Sequence, residues 1–523
     1  MLESKEYWRS NEPLASALFK LRASVFDFSM AYCSSASRLV MTELSGTISI
    51  VFVLYVIAML GIGVWTSRMT RSPLDFFLAD RSLKAWVTAI SSTASSESAW
   101  AVLGTVGLAY KDGLSAIWFL PGCLLGYLIN WLFLAEKLRK HSEENHTITL
   151  PDYIENYFDD KTHILRMISV VIIFCCMMAY VAAQFTAIGK TFDAIFGIPH
   201  VLSISVGAAI VLIYTMMGGV RAVAWTDFTQ GIIMVLGLVI LSLVALSNLG
   251  GFSGMWVEVG KASPETLTWM GGKSTPVFFG SMVGLLGIGL GYPGQPHVIT
   301  RYMAAKNTKA IKKGTWIALG WGLMVYSSSI LLGICGQALF PGLEDPEHLF
   351  PKAAEQLLPT LLTAVVLTGV LAAIMSTVSA QILVAASAVA NDVYTKMLKK
   401  TLSHEKILLV SRATLLLLGI GAMLIALGET RVIFWFVLFA WSGLGASFGP
   451  LILFTLYSKN ITRQGAIAGM LTGFLTTLIW KTTGLSDALI YELVPAFLFA
   501  ILAIYFVSKA TTDVPLTGHE DKG

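Results

Sequence analysis

The chain has 523 residues, of which 55% are hydrophobic and only 13% charged, with a mean hydropathy of +0.71 and a formal net charge of +4. Soluble domains carry about 25% charged residues, so this composition lacks the polar surface needed to coat a water-facing globule. It excludes intrinsic disorder and nucleic-acid binding and makes lipid the solvent for most of the chain.

Residues 1–43 begin polar, with Glu3, Lys5, Glu6, Arg9 and Glu12, and are then interrupted by Lys20, Arg22 and Asp27. They form neither a signal-peptide core nor a span. Two readings stand: a peripheral amphipathic segment, or a gene-model extension ahead of a true start at Met41. From 44 to 508, stretches approaching the roughly 20 apolar residues that a bilayer requires recur about thirteen times, which predicts an all-α polytopic membrane protein. Most of the 36 lysines and arginines fall in loops on one side, among them Arg68, Arg81, Lys137, Arg166, Arg301 and Lys399. The positive-inside rule then sets the N-terminus outside the plasma membrane and the C-terminus in the cytoplasm. Residues 509–523 are a short tail with no room for a catalytic or signalling domain. The five cysteines, Cys33, Cys123, Cys175, Cys176 and Cys335, are odd in number and lack metal-like spacing, so they read as buried thiols.

The second span, about 85–111, holds Ser91, Ser92, Thr93, Ala94, Ser95, Ser96, Glu97, Ser98, Ala99 and Trp100. Hydroxyls and a carboxylate at membrane depth are costly unless they face a polar cavity or partner helices. The seventh span, about 274–303, holds Gly287, Gly289, Gly291, Pro293, Gly294 and Pro296, which loosen the backbone and remove intrahelical hydrogen bonds. These two interrupted spans lie five elements apart. That spacing divides the bundle into five-helix halves, 85–248 and 274–457, inserted in opposite senses: the five-plus-five inverted repeat of LeuT-type secondary transporters. The plainer alternative is that glycine and proline are simply common in membrane helices. In the ninth span, Ser376, Thr377 and Ser379 put several hard oxygens within one turn, which suits an alkali cation better than a transition metal. Helix packing through small and hydroxyl residues is the competing explanation.

The run from Gly218 to Asp227, the segment from Gly289 to His297, the cluster Met375-Ser376-Thr377 and the run from Gly443 to Pro450 together resemble the sodium/solute symporters, most closely those of bacterial proline. So do the loop segments Thr149 to Tyr153 and Asp159 to Arg166. The resemblance implies a sodium ion between the second and ninth spans. Its ligands would be the carbonyls of Ala94, Glu97 and Ala373 and the hydroxyls of Ser376 and Thr377. A second sodium site, seen in some members, would use Asp227, Ser376 and Ser379. Its further hydroxyl position is Ala380 here, so one coupled sodium is expected. For substrate, the resemblance points to Ser98, Ala99, Trp100, Tyr180, Tyr292 and Pro296.

Two departures stand out. Where proline symporters carry an aspartate in the second span this chain has Ser96, followed by Glu97, which a helix turns about 100° away. Ser96 and Glu97 are therefore the coupling candidates, with Glu97 either restoring the missing charge near sodium or binding a proton. At the position of a pocket-lining tryptophan stands Ile288. The expected function is sodium-coupled import of L-proline by alternating access, with a monomer sufficing. The alternatives are sodium- or proton-coupled transport of another small amino acid or carboxylate, or a membrane sensor that binds its solute without moving it. A membrane enzyme fits least, because the histidines lie mainly in loops and His297 sits alone past the seventh-span break.

Overall fold

The computed structural model describes residues 46–70, 72–196, 199–398, 404–428 and 433–511. The expectations for residues 1–43, including the start at Met41, and for the tail beyond 511 fall outside these residues, as does Cys33.

The described residues build a helical bundle. Helix α1 is Gly46–Ser67. Helix α2 has two halves, Ala85–Ser96 and Thr105–Asp112, joined through a π-helical turn at Trp100–Gly104. Helix α3 begins at Phe119–Ile129 and runs on through Ala135–Glu144, and α4 is Ile164–Phe196. Helices α5 and α6 form one path, His200–Asn248, bent at Gly219. Helix α7 is broken: Thr275–Gly287 and Pro296–Met303 flank a 3-10 stretch, Ile288–Gly294. Then follow α8 (Thr308–Leu339), α9 (Thr360–Ser387, extended by the π-helical Ala388–Met397), α10 (His404–Gly428), α11 (Ile433–Tyr457), α12 (Arg463–Thr482) and α13 (Leu493–Thr511).

Ten helical stretches among the described residues are long and apolar enough to cross a membrane. Thirteen segments are nonetheless present. The second half of α2 runs on into α3 and α5 into α6 without a full interruption, and α12 is more polar than its neighbours. The α5–α6 bend needs a positive φ of 61° at Gly219, where a Cβ would also lie 2.4 Å from the Phe76 carbonyl, so only glycine fits.

Burial separates an axis from a periphery. In α9 and α11, 83% of the apolar window is buried inside the protein, against 28% in α1. Helix α9 packs along the α5–α6 path and α4, while α8 lies against both halves of α2. Cys123, Cys176 and Cys335 are buried as expected, but Cys175 is exposed. Consecutive helical residues point about 100° apart, so with Cys176 facing the core its neighbour turns outward.

Polar contacts close both ends of the bundle. At one end Arg81 donates to the carbonyls of Met303 (2.9 Å), Ser142 (2.8 Å) and Thr147 (3.0 Å). Burial, helped by the neighbouring Arg139, pulls its guanidinium down to about 10. Beside it, Arg166 pairs with Asp152, Glu155 and Asp392. At the other end Lys190 of α4 pairs with Asp345 (3.2 Å) and Glu347 (3.0 Å) in the loop after α8.

Candidate ion and substrate site

The break in α2 begins at Glu97, whose backbone (φ −103°, ψ 68°) leaves the helix while its N–H closes the last turn on the Thr93 carbonyl. The Ala94 carbonyl then faces α9, 3.4 Å from Ser376 Oγ. Ser376 Oγ is also 2.9 Å, and Thr377 Oγ1 3.3 Å, from the Ala373 carbonyl. Four of the five expected sodium ligands therefore meet between α2 and α9, all fully buried, and all of them oxygen. Hard oxygens without a thiolate or imidazole are the donor set of an alkali cation. Among the described residues no group of histidine, cysteine and acidic side chains is placed to hold a metal ion.

The Glu97 side chain points elsewhere, towards α3 and α8. Its Oε1 accepts from the Tyr127 hydroxyl and its Oε2 from Trp321 Nε1, each at 2.6 Å. Tyr127 OH also lies 3.3 Å from Ser96 Oγ and accepts from Tyr326 OH at 3.3 Å, and Tyr326 OH is 2.8 Å from Tyr292 OH. A hydroxyl chain thus runs from the carboxylate to the seventh-helix break.

Asp227 is taken up by other partners than a second sodium site needs. Its Oδ2 accepts from Ser91 Oγ (2.8 Å) and from Arg301 (2.9 Å), with both side chains of the ion pair fully buried. Neither bond goes to Ser376 or Ser379, and the Ser379 hydroxyl donates instead to the Ser376 carbonyl.

The expected substrate residues are buried and linked to one another through ring and hydrogen-bond contacts. Trp100 meets Phe119 edge-on at 5.4 Å, Tyr326 in a stack at 6.3 Å and Trp441 at 6.2 Å. Tyr292 meets Trp441 edge-on at 4.8 Å. Ile288 is buried, and its carbonyl accepts from Trp441 Nε1 at 3.1 Å. Pro296 starts the second half of α7. The Ala99 N–H donates to Gln184 Oε1 at 3.3 Å. Tyr180 faces Ser98, Trp100 and Gln381, and its ring lies 6.3 Å edge-on to His297. His297 is therefore not alone past the break, as its position in the sequence suggested, but part of this centre. Five side chains here keep buried polar atoms with no hydrogen bond: Ser98 Oγ, Tyr180 OH, Gln184 Nε2, both amide atoms of Gln381 and both ring nitrogens of His297.

Sequence reasoning missed Tyr127, Trp321 and Tyr326 around Glu97, and Gln184, Gln381 and Trp441 at the centre. A signal existed for two of them. Gln184 stands four residues after Tyr180, on the same helical face, and glutamine is a rare, costly residue in an apolar span.

A profile of the sodium:solute symporter family matches residues 76–473. The high-affinity proline transporter PutP of Bacillus subtilis is 36% identical over 458 residues, 87% of this chain and 96% of that protein. A sodium/proline symporter of Escherichia coli is 34% identical over 468 residues, 88% of this chain and 92% of its own length. Among solved structures, the substrate-bound, outward-open state of a Na+-coupled sialic acid symporter matches with a TM-score of 0.73 at 20% identity, covering 89% of this chain and 98% of that one. At that identity the match establishes the fold, an all-α bundle of the LeuT type. With the family profile spanning most of its length, the chain belongs to the sodium:solute symporter family.

Proposed function

We propose that this sodium-coupled, multi-pass membrane transporter imports L-proline across the plasma membrane by alternating access, with one sodium ion per cycle. The observation that carries the reading is the buried oxygen set of Ala94, Ala373, Ser376 and Thr377 at the α2 break, next to a centre walled by Trp100, Tyr180 and Tyr292. Sodium held there, with the Glu97 carbonyl as its remaining ligand, would tie the broken helix to α9 and fix the substrate residues Ser98, Ala99 and Trp100 that follow it. Coupling is then differential affinity, with sodium favouring the substrate-competent state. A membrane potential adds about 2.3 kcal/mol per charge per 100 mV. The polar contacts at the two ends, around Arg81 and around Lys190, are the contacts that must open in turn.

Proline as the substrate is supported by the names of the curated relatives and by the aromatic walls, which suit a pyrrolidine ring. The Asp227–Arg301 pair and Ala380 favour a single sodium. The positive-inside bias supports an external N-terminus and a cytoplasmic C-terminus. The test is competition. In proteoliposomes under an inward sodium gradient, excess unlabelled L-proline should abolish uptake of radiolabelled L-proline, while other amino acids compete weakly. Sodium-driven uptake that another amino acid or a carboxylate blocks better than proline reassigns the substrate.

A further inference from the structure

We infer that Gln184, Gln381 and His297 are specificity-determining residues: Gln184, with Ser98 and Tyr180, donates to the carboxylate of a zwitterionic α-amino acid, while His297 and Gln381 accept from its amino group. The inference rests on the proposed transport reading and goes beyond it by dividing the site into a carboxylate half and an amine half.

Native interiors pair nearly all buried polar groups, so several orphans at one place are the mark of a missing partner. Here the side chains of Ser98, Tyr180, Gln184, His297 and Gln381 are all fully buried, yet seven of their polar atoms have no hydrogen bond. They come from four helices, α2, α4, α7 and α9, and they converge. Tyr180 is the hub, facing Ser98 and Gln381 and lying edge-on to His297, and Gln184 stands one helical turn further along α4.

The atoms left over fix the chemistry. The Ala99 N–H occupies Gln184 Oε1 at 3.3 Å, which orients the amide and leaves Nε2 as a free donor. Hydroxyls at Ser98 and Tyr180 add two more donors. Gln381 keeps its carbonyl oxygen free and His297 has a ring nitrogen to accept with. Asp227 and Arg301, the latter one turn beyond His297, neutralise each other at 2.9 Å, and the Glu97 carboxylate beside Ser98 is taken up by Tyr127 and Trp321. A cradle that offers free donors together with free acceptors suits a ligand with no net charge but a charged group at each end. The Trp100, Tyr292 and Trp441 rings cover the side chain of that ligand.

Thermal stabilisation of the purified full-length protein in sodium-containing detergent solution tests this. The probes are L-proline, L-prolinamide and pyrrolidine, with L-alanine and L-serine and their amides. L-proline should stabilise the wild type at concentrations about 10- to 100-fold below those needed for L-prolinamide, the range expected for lost hydrogen bonds to a charged group. Gln184→Leu should shrink the difference between acid and amide, with the Ser98 and Tyr180 hydroxyls left to hold the carboxylate. His297→Phe, which keeps a ring against Tyr180, should weaken proline and pyrrolidine together while the acid-to-amide ratio persists, and His297→Gln should restore part of the loss. A Gln184→Leu variant that leaves the acid-to-amide ratio unchanged, or a His297→Phe variant that leaves proline and pyrrolidine binding unchanged or alters the acid-to-amide ratio, overturns the assignment. If L-alanine or L-serine shows the same pattern and L-proline is silent, the proline reading falls and the cradle stands. If none of the amino acids stabilises the wild type, the cradle falls.

Discussion

The indole nitrogen of Trp441 donates to the Ile288 carbonyl at 3.1 Å, joining α11 to the broken stretch of α7. Family resemblance leads one to expect a tryptophan on α7 itself at that point, and this chain has isoleucine. The ring from α11 instead meets Tyr292 at 4.8 Å and Trp100 at 6.2 Å, so an aromatic wall is supplied by another helix. Gly291 makes the approach feasible, since a Cβ there would lie 1.9 Å from Trp441 Nε1.

Trp441→Leu should therefore act on both substrate and stability. Loss of the ring opens a cavity costing about 3 kcal/mol and strips the substrate of one wall. Thermal unfolding and the KM for sodium-driven proline uptake report the two effects, and an unchanged KM would show that Trp441 does not face the substrate.

Glu97 accepts two hydrogen bonds from neutral donors, Tyr127 and Trp321. A glutamine can keep its oxygen on Trp321 and give its NH2 to the Tyr127 oxygen, with Tyr127 then donating to Ser96. Leucine strands both donors. Glu97→Gln should cost about 1 kcal/mol and Glu97→Leu about 2–4 kcal/mol, measured as unfolding of the purified protein. Equal losses would mean that the carboxylate is not held by these bonds.

Asp227 and Arg301 form a fully buried ion pair. Removing one member leaves the other charge uncompensated, so Asp227→Ala should cost about 3–5 kcal/mol. The double variant Asp227→Ala with Arg301→Met should recover most of that loss. A double variant as unstable as the single one would show that the two side chains are not coupled.

At the Lys190 end, Asp345 is held below the usual carboxylate range. Partial burial alone would raise it, but the Glu347 backbone N–H, Lys190 and His348 outweigh that effect. A carboxyl depressed by folding contributes stability above its unfolded value, near 3.9, and the contribution is lost as pH falls through the folded value. The melting temperature should accordingly owe nothing to Asp345 titration between pH 7 and 5, and should fall below about pH 4. Asp345→Asn should lower stability at pH 7 and flatten that acid limb. An acid limb identical to wild type would show that Asp345 does not contribute through its pairing with Lys190.

The segments of the fold were legible because apolar length and helix-breaking residues are local properties. The hydroxyls of α2, the glycines and prolines of α7 and the Ser376–Thr377 pair each mark their own element. What the sequence hides is which helix faces which. Glu97 lies three residues from Ala94, which invites placing its charge at the sodium ligands, but the break turns its side chain towards Tyr127 and Trp321. Trp441 is remote in sequence from everything it meets, and nothing local distinguishes it from an ordinary packing residue. His297 looked isolated because Tyr180, its neighbour in space, lies on another helix.

The most direct measurement is the sodium dependence of radiolabelled proline uptake in proteoliposomes containing wild type or Ser376→Ala. Wild type should accumulate proline only with an inward sodium gradient. Ser376→Ala should need about 10- to 100-fold more sodium for half-maximal uptake, as loss of a hydrogen-bonding oxygen to a charged partner implies. Uptake by the variant at wild-type sodium concentrations, or wild-type uptake driven equally well without sodium, would contradict a coupling site between α2 and α9.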